Sequence, residues 1–139
     1  MNGYAAARNR YVDSAVTTAS PSTLLVMLYD RLMRDLERGE LALREGRRDQ
    51  ANTQLIHAQD IVMELANTLD VDAWEGGQQL MSLYTYLTTS LVEANIAGDA
   101  DKVAACAAIV APLHEAWEKA ARQAAEASPE RVLGDLGVA

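Results

Sequence analysis

The sequence predicts an all-α fold, an antiparallel up-down-up-down four-helix bundle with an N-terminal arm or short helix. Three features lead there. Four segments of 20 or more residues repeat their apolar positions at the helical period. Short polar or glycine-containing joints separate them, which sets neighbouring helices antiparallel. No segment alternates apolar and polar residues as a strand would, and the chain contains no internal repeat. The 139 residues suit one domain, divided as an arm over 1–19, a bundle over 20–127 and a tail, expected to be flexible, over 128–139.

Residues 1–19 are small, polar and weakly periodic, with Tyr4, Tyr11, Val12 and Val16 as their larger apolar members. Ser20-Pro21 opens the first helix. Serine can accept from orphan N–H groups, and proline is tolerated where its missing N–H would be unpaired. That helix is expected over 21–45, with Leu24, Leu25, Leu28, Leu32, Leu36 and Leu43 on one face. Gly46 ends it, and Arg44 complements the negative end of the helix dipole.

The second helix is expected over 49–69, with Ala51, Leu55, Ala58, Val62 and Leu65 inward. The joint Asp70–Gly77 follows, where Asp72 is a candidate cap for the third helix. The third helix, 77–97, turns Leu80, Leu83, Tyr84, Leu87, Leu91 and Ala94 to the core. Gly98-Asp99 supplies a stop and a fresh N-cap in two residues. The fourth, 100–127, uses Val103, Cys106, Ala107, Val110, Leu113, His114 and Trp117. Pro112 lies inside it and is expected to kink it.

Composition narrows the function. Half the residues are hydrophobic, but there are only two Trp, five Tyr and no Phe, so aliphatic side chains build the core. The net charge is −8. Residues 1–69 hold 9 acids and 8 bases, and residues 70–139 hold 11 acids and 4 bases. Such a balance argues against a nucleic-acid partner or an anionic membrane surface. The densest basic cluster, Arg44, Arg47 and Arg48, is interrupted by Glu45 and reads as a solvated loop. One cysteine permits no internal disulfide. The longest nonpolar run, Val103–Leu113, is eleven residues long, short of the ~20 that cross a bilayer, so no membrane insertion is expected. The chain therefore reads as soluble and cytoplasmic.

Catalytic and metal chemistry find no support. His57 and His114 are the only histidines; they lie on different helices, and neither has a second histidine three to five residues away. His114 reads as a hydrogen-bonded core residue and His57 as an exposed one. Asp70, Asp72 and Glu75 lack the ligand ladder of a calcium loop. Cys106 on an apolar face reads as packing rather than a nucleophile. No catalytic residue, no metal site and no cofactor is expected.

What stands out is a surplus of apolar side chains. One stripe suffices to seat a helix in a bundle. Val26, Tyr29 and Met33 form a strip beside the leucine face of the first helix. Ile56 and Met63 lie seven apart on the second, well round from its inward face. Met81 and Val92 lie off the inward face of the third, with Ile96 further round and Thr85 and Thr88 between them. Wide faces can seal bundle corners. They can also offer a groove to an amphipathic partner segment anchored at i, i+3, i+4 and i+7, and methionine suits surfaces that adapt to a partner.

The order of motifs adds a resemblance. Thr18-Ala19-Ser20-Pro21 followed by Leu24-Leu25-Val26-Met27-Leu28-Tyr29-Asp30, then Ala58-Gln59-Asp60-Ile61-Val62, Leu69-Asp70, Gly76-Gly77, Leu83-Tyr84-Thr85-Tyr86, Ala94-Asn95 and Ala116-Trp117, resembles the flagellar export chaperones for flagellin across roughly residues 11–120. Both Tyr4 and Tyr11 compete for the family's N-terminal tyrosine. The resemblance implies a cytoplasmic helical bundle that binds the disordered C-terminal segment of flagellin. Such a protein prevents premature polymerisation and assists delivery to the flagellar type III export apparatus, consuming no nucleotide. Other flagellar regulators or export components are further candidate partners. The candidate partner-binding residues are Tyr11, Val12, Val16, Val26, Tyr29, Met33, Ile56, Met63, Met81 and Val92. The alternative is a helical-bundle adaptor or regulator that self-associates or binds another flagellar or signalling protein.

Overall fold

The computed structural model describes residues 21–127. They form four α-helices: α1 Pro21–Arg44, α2 Arg48–Thr68, α3 Gly77–Ala97 and α4 Ala100–Ala127. No strand occurs among the described residues. Among the described residues, contacts divide the chain into two units, Leu28–His114 and a second comprising 21–27 with 115–127. The first unit contains most of α1, all of α2 and α3, and the first half of α4.

Within Leu28–His114, long-range side-chain pairs fix the helix directions. Asp35 of α1 meets His57 of α2, and Asn95 Nδ2 of α3 donates to Asn52 Oδ1 of α2 at 2.8 Å. Arg44 reaches Asp101 near the start of α4 at 3.0 Å, whereas Asp30, earlier in α1, pairs with His114, later in α4. α1 and α4 therefore run antiparallel, as do α1 and α2, where Gly39 approaches Leu55, and α2 and α3, where Met63 shares a groove with Thr85, and the packing is compatible with a four-helix bundle. Leu32, Leu36, Leu55, Val62, Leu65, Leu87, Leu91, Val103 and Val110 are fully enclosed and form the centre of the core.

Local chemistry explains the helix ends. α1 and α3 both stop at glycines in the left-handed region, Gly46 at φ +75° and Gly98 at φ +67°. The N–H groups of Arg47 and Asp99 then return to the carbonyls of Ala42 and Ala94 at 2.8 and 2.9 Å, satisfying groups the helix end would otherwise orphan. Gly98 also leaves room for Arg48, whose Nη2 donates to the carbonyls of Asn95 and Ile96. A Cβ on Gly98 would lie 2.4 Å from that guanidinium. Asp99 Oδ1 accepts from the Lys102 N–H at 3.0 Å and so caps α4, as expected.

Several expectations need correction. α1 ends at Arg44, one residue earlier than read, and α2 runs from Arg48 to Thr68 rather than 49–69. Asp72 does not cap α3: the N-cap position is Gly76 with no side-chain cap, and Asp70 instead accepts from the Asp72 N–H within the loop. α4 continues through Pro112, which lies on an exposed face with Ala108 one turn before it, where water can satisfy the carbonyl the proline ring deprives of a donor; this continuity does not bear on the expected kink. The Ser20 cap, the arm over 1–19 and the tail over 128–139 lie outside the described residues.

Candidate functional site

The α2–α3 seam carries the apolar surplus on its outer side. Along α2, Asn52, Ile56, Met63 and Asn67 follow one another at helical spacing. Along α3 the matching strip is Met81, Thr85, Thr88, Val92 and Asn95. The Asn52–Asn95 bond sets the antiparallel register. It places Ile56 level with Val92 and Met63 level with Thr85. Ile56 is 45% exposed, Met63 53% and Val92 39%. Ile96, one turn beyond Val92, is 76% exposed, while Met81 is half-buried.

Between the strips lies a shallow groove of about 210 Å³, walled by Met63, Ala66 and Asn67 from α2 and by Thr85, Thr88 and Thr89 from α3. Two of its three threonines are less polar than their names. The Thr85 hydroxyl donates to the Met81 carbonyl at 3.1 Å, and that of Thr88 donates to the Tyr84 carbonyl at 3.0 Å. Both donors are spent on the helix's own backbone, a common state for threonine in helices. The groove wall, which Tyr84 also lines, thus contains no charged side chain and offers methyls, a thioether, the Asn67 amide and the Thr89 hydroxyl. That lining favours an apolar helical segment with small or uncharged polar residues over a charged ligand.

Tyr29 corrects one expectation. Its spacing with Val26 and Met33 predicts a strip beside the leucine face, but it is fully buried. Its hydroxyl shares a 2.8 Å hydrogen bond with that of Tyr84, joining α1 to α3 across the core. Burial, reinforced by the Tyr29 hydroxyl, pushes the Tyr84 phenol far above its ordinary range, so Tyr84 stays neutral. Replacing Tyr29 by Phe strands the Tyr84 hydroxyl and is expected to cost about 1–2 kcal/mol in urea unfolding. The Tyr29→Phe/Tyr84→Phe double variant should cost clearly less than the sum of the two singles; simple additivity would show that the hydroxyls do not depend on each other. Met33 and Val26 are half-buried, Val26 belonging to the smaller unit. Tyr11, Val12 and Val16 lie outside the described residues.

Sequence reasoning missed Asp35. Its carboxylate is fully buried, accepts from Arg31 Nε at 3.2 Å and meets His57 Nδ1. The contact requires His57 to carry its proton on Nδ1. His57 is therefore a half-buried partner rather than an exposed residue. His114 is half-buried and pairs with the exposed Asp30 carboxylate instead of pointing wholly into the core. A signal for Asp35 existed: an aspartate between Leu32 and Leu36 interrupts the leucine face, and Arg31 stands one turn before it. Cys106 is enclosed, and burial pushes its thiol above the usual range, which opposes the thiolate a nucleophile needs.

Comparison with known proteins assigns this architecture to a family. The family described as "Flagellar protein FliS" matches residues 4–124. The chain belongs to the FliS family. It is 31% identical over 110 residues to the flagellar secretion chaperone FliS of Bacillus subtilis (strain 168), covering 79% of this chain and 82% of that one. It is 30% identical over 110 residues to the FliS of Escherichia coli (strain K12), covering 78% and 81%. It is also 30% identical over 116 residues to the FliS of Campylobacter jejuni (serotype O:6, strain 81116), covering 81% and 89%. FliS is a family of flagellar secretion chaperones, not of enzymes, in keeping with a site made of an uncharged groove. Among the described residues, no helix is long and apolar enough to cross a membrane.

Proposed function

We propose that this chain is a cytoplasmic flagellar secretion chaperone whose client is the disordered C-terminal segment of flagellin. By holding that segment it prevents premature polymerisation and assists delivery to the flagellar type III export apparatus. The observation that supports this most is the exposed apolar strip of Ile56, Met63 and Val92 along an uncharged groove, in a member of a secretion-chaperone family. Met81 extends the strip, and Val26 and Met33 add half-buried apolar surface on α1.

A client that would otherwise pair with its own kind needs an apolar surface of similar character. The groove supplies one without the charges that would penalise burial. Because the client loses chain entropy on ordering, an extended contact gives moderate net affinity and allows release at the export apparatus. Co-purification tests this reading. Full-length flagellin should be retained by the immobilised chain, and flagellin lacking its C-terminal segment should not; equal retention of both would refute the assignment of the client segment.

The arm bearing Tyr11, Val12 and Val16 is proposed to cover a groove in the free chaperone and to move when client binds. Its apolar residues precede the helix start that Ser20-Pro21 predicts, as a displaceable cover would. Amide hydrogen exchange over residues 11–16 should accelerate on addition of the flagellin segment. Unchanged exchange at saturating client would defeat the cover.

A further inference from the structure

A second surface lies on the α1–α2 side, in a chain of net charge −8. Half of its twelve cationic side chains fall between residues 31 and 48: Arg31, Arg34, Arg38, Arg44, Arg47 and Arg48. Most are committed internally. Arg31 binds Asp35, Arg44 binds Glu40 and Asp101, Arg47 binds Glu45, and Arg48 caps α3. Arg34 and Arg38 are exposed and take part in no ion pair among the described residues.

Arg34, Arg38 and Leu41 stand at i, i+4 and i+7, one stripe along α1. Leu41 is 53% exposed although it is large and apolar. It lines a hollow of about 340 Å³ with Arg38, Ala42 and Arg47, closed on the α2 side by Gln50 and Gln54. An apolar floor at one end of two uncommitted guanidinium groups, in a protein that is otherwise acidic, has a definite complement.

We propose that this α1–α2 hollow is a docking surface for an acidic amphipathic helix of a partner protein. The helix would seat one large apolar side chain over Leu41 and Ala42 and present carboxylates, one and two turns away, to Arg38 and Arg34. Charge complementarity carries the choice of occupant. Guanidinium groups form directional, charge-assisted hydrogen bonds with carboxylates, and the apolar seat selects a helix with a side chain to bury rather than any polyanion. The surface is separate from the α2–α3 groove, so the chaperone could hold an export client and a second protein together.

The probe is a labelled synthetic 18-residue helix with one leucine and glutamates placed at those spacings, titrated into the full chain by fluorescence anisotropy. Controls replace the glutamates by glutamine, replace the leucine by serine, or substitute a single-stranded oligonucleotide of equal charge. Saturable binding to the parent helix is expected, weakened about tenfold or more by Arg38→Glu, by Leu41→Ser and by the two peptide changes, and weakened by salt. Backbone amide shifts should concentrate at 34–54. Arg34→Glu and Arg38→Glu should leave binding of the flagellin segment unchanged, and Ile56→Asp should leave binding of the acidic helix unchanged. No binding of the parent helix, equal binding of its glutamine form or of the oligonucleotide, or indifference to both Arg38→Glu and Leu41→Ser would overturn the proposal.

Discussion

Ile56→Asp and Met63→Asp are each expected to weaken binding of the flagellin segment by roughly 30-fold to 150-fold, while the thermal midpoint of the free chaperone hardly moves. Both side chains are about half exposed in the free protein, so an aspartate there meets water and the fold loses little. In the complex the same position would be covered. The loss then combines the apolar area no longer buried with the desolvation of a carboxylate, about 2–3 kcal/mol together at a half-exposed site, and 1.4 kcal/mol is tenfold in affinity. The two anchors are two turns apart, about 10.5 Å along the helix, so they meet different turns of the client and their effects should add. Leu55→Ala makes the contrast. Leu55 is the neighbour of Ile56 but points inward and is fully buried, and its truncation should cost about 2–5 kcal/mol of stability. Calorimetry for binding and thermal melts for stability separate the cases. A large drop in midpoint for Ile56→Asp or Met63→Asp, with the affinity of the remaining folded protein unchanged, would place these residues in the structural core.

The fold could be read from the sequence because its signals are local. Gly46 and Gly98 turn the chain out of α1 and α3 through their own backbone conformation, and Asp99 caps α4 through a neighbouring N–H, so the first and third joints are written mainly in adjacent residues, with Arg48 adding a distant contact at the end of α3. Periodicity likewise found the inward faces, since Leu32, Leu36, Leu55 and Leu91 each repeat on a helix whose opposite side is polar. The site was partly legible for the same reason: Ile56, Met63 and Val92 lie far enough from the inward face that no plausible neighbour covers them. Tyr29 failed that test. It is about 60° from Leu32, at the margin of a wide stripe, and only the position of α3 decides whether such a residue is edge or core. Its partner Tyr84 is 55 residues away. The threonine-lined wall was also hidden, because a hydroxyl turned onto its own backbone exposes a methyl that residue type does not announce.

Asp35 shows the same limit with the larger energetic consequence, and Asp35→Ala is expected to lower stability by about 2–4 kcal/mol. The carboxylate is fully enclosed and held by two donors, Arg31 Nε and His57 Nδ1, from two helices. Hydrogen bonds to a charged group contribute about 1.5–3 kcal/mol each. Arg31 and His57 remain partly exposed, so each recovers some hydration once the carboxylate is gone, which keeps the loss below the sum of the two. Asp35→Asn keeps the shape and one acceptor oxygen and should lose about half as much. Urea unfolding measures both; a loss under about 1 kcal/mol for Asp35→Ala would mean that water already reaches the carboxylate. The group is not an efficient source of stability, since a buried charge must first be stripped of water. Replacing all three residues by apolar ones, Arg31→Met with Asp35→Leu and His57→Leu, should therefore restore much of what Asp35→Ala removes. What the apolar triple cannot restore is direction. Leucine packs against any leucine on a facing helix, whereas Asp35 is satisfied only where His57 stands opposite it. The triple variant is thus expected to melt near the parent temperature while showing broadened amide signals along α1 and α2, the mark of a seam whose register is no longer singly defined.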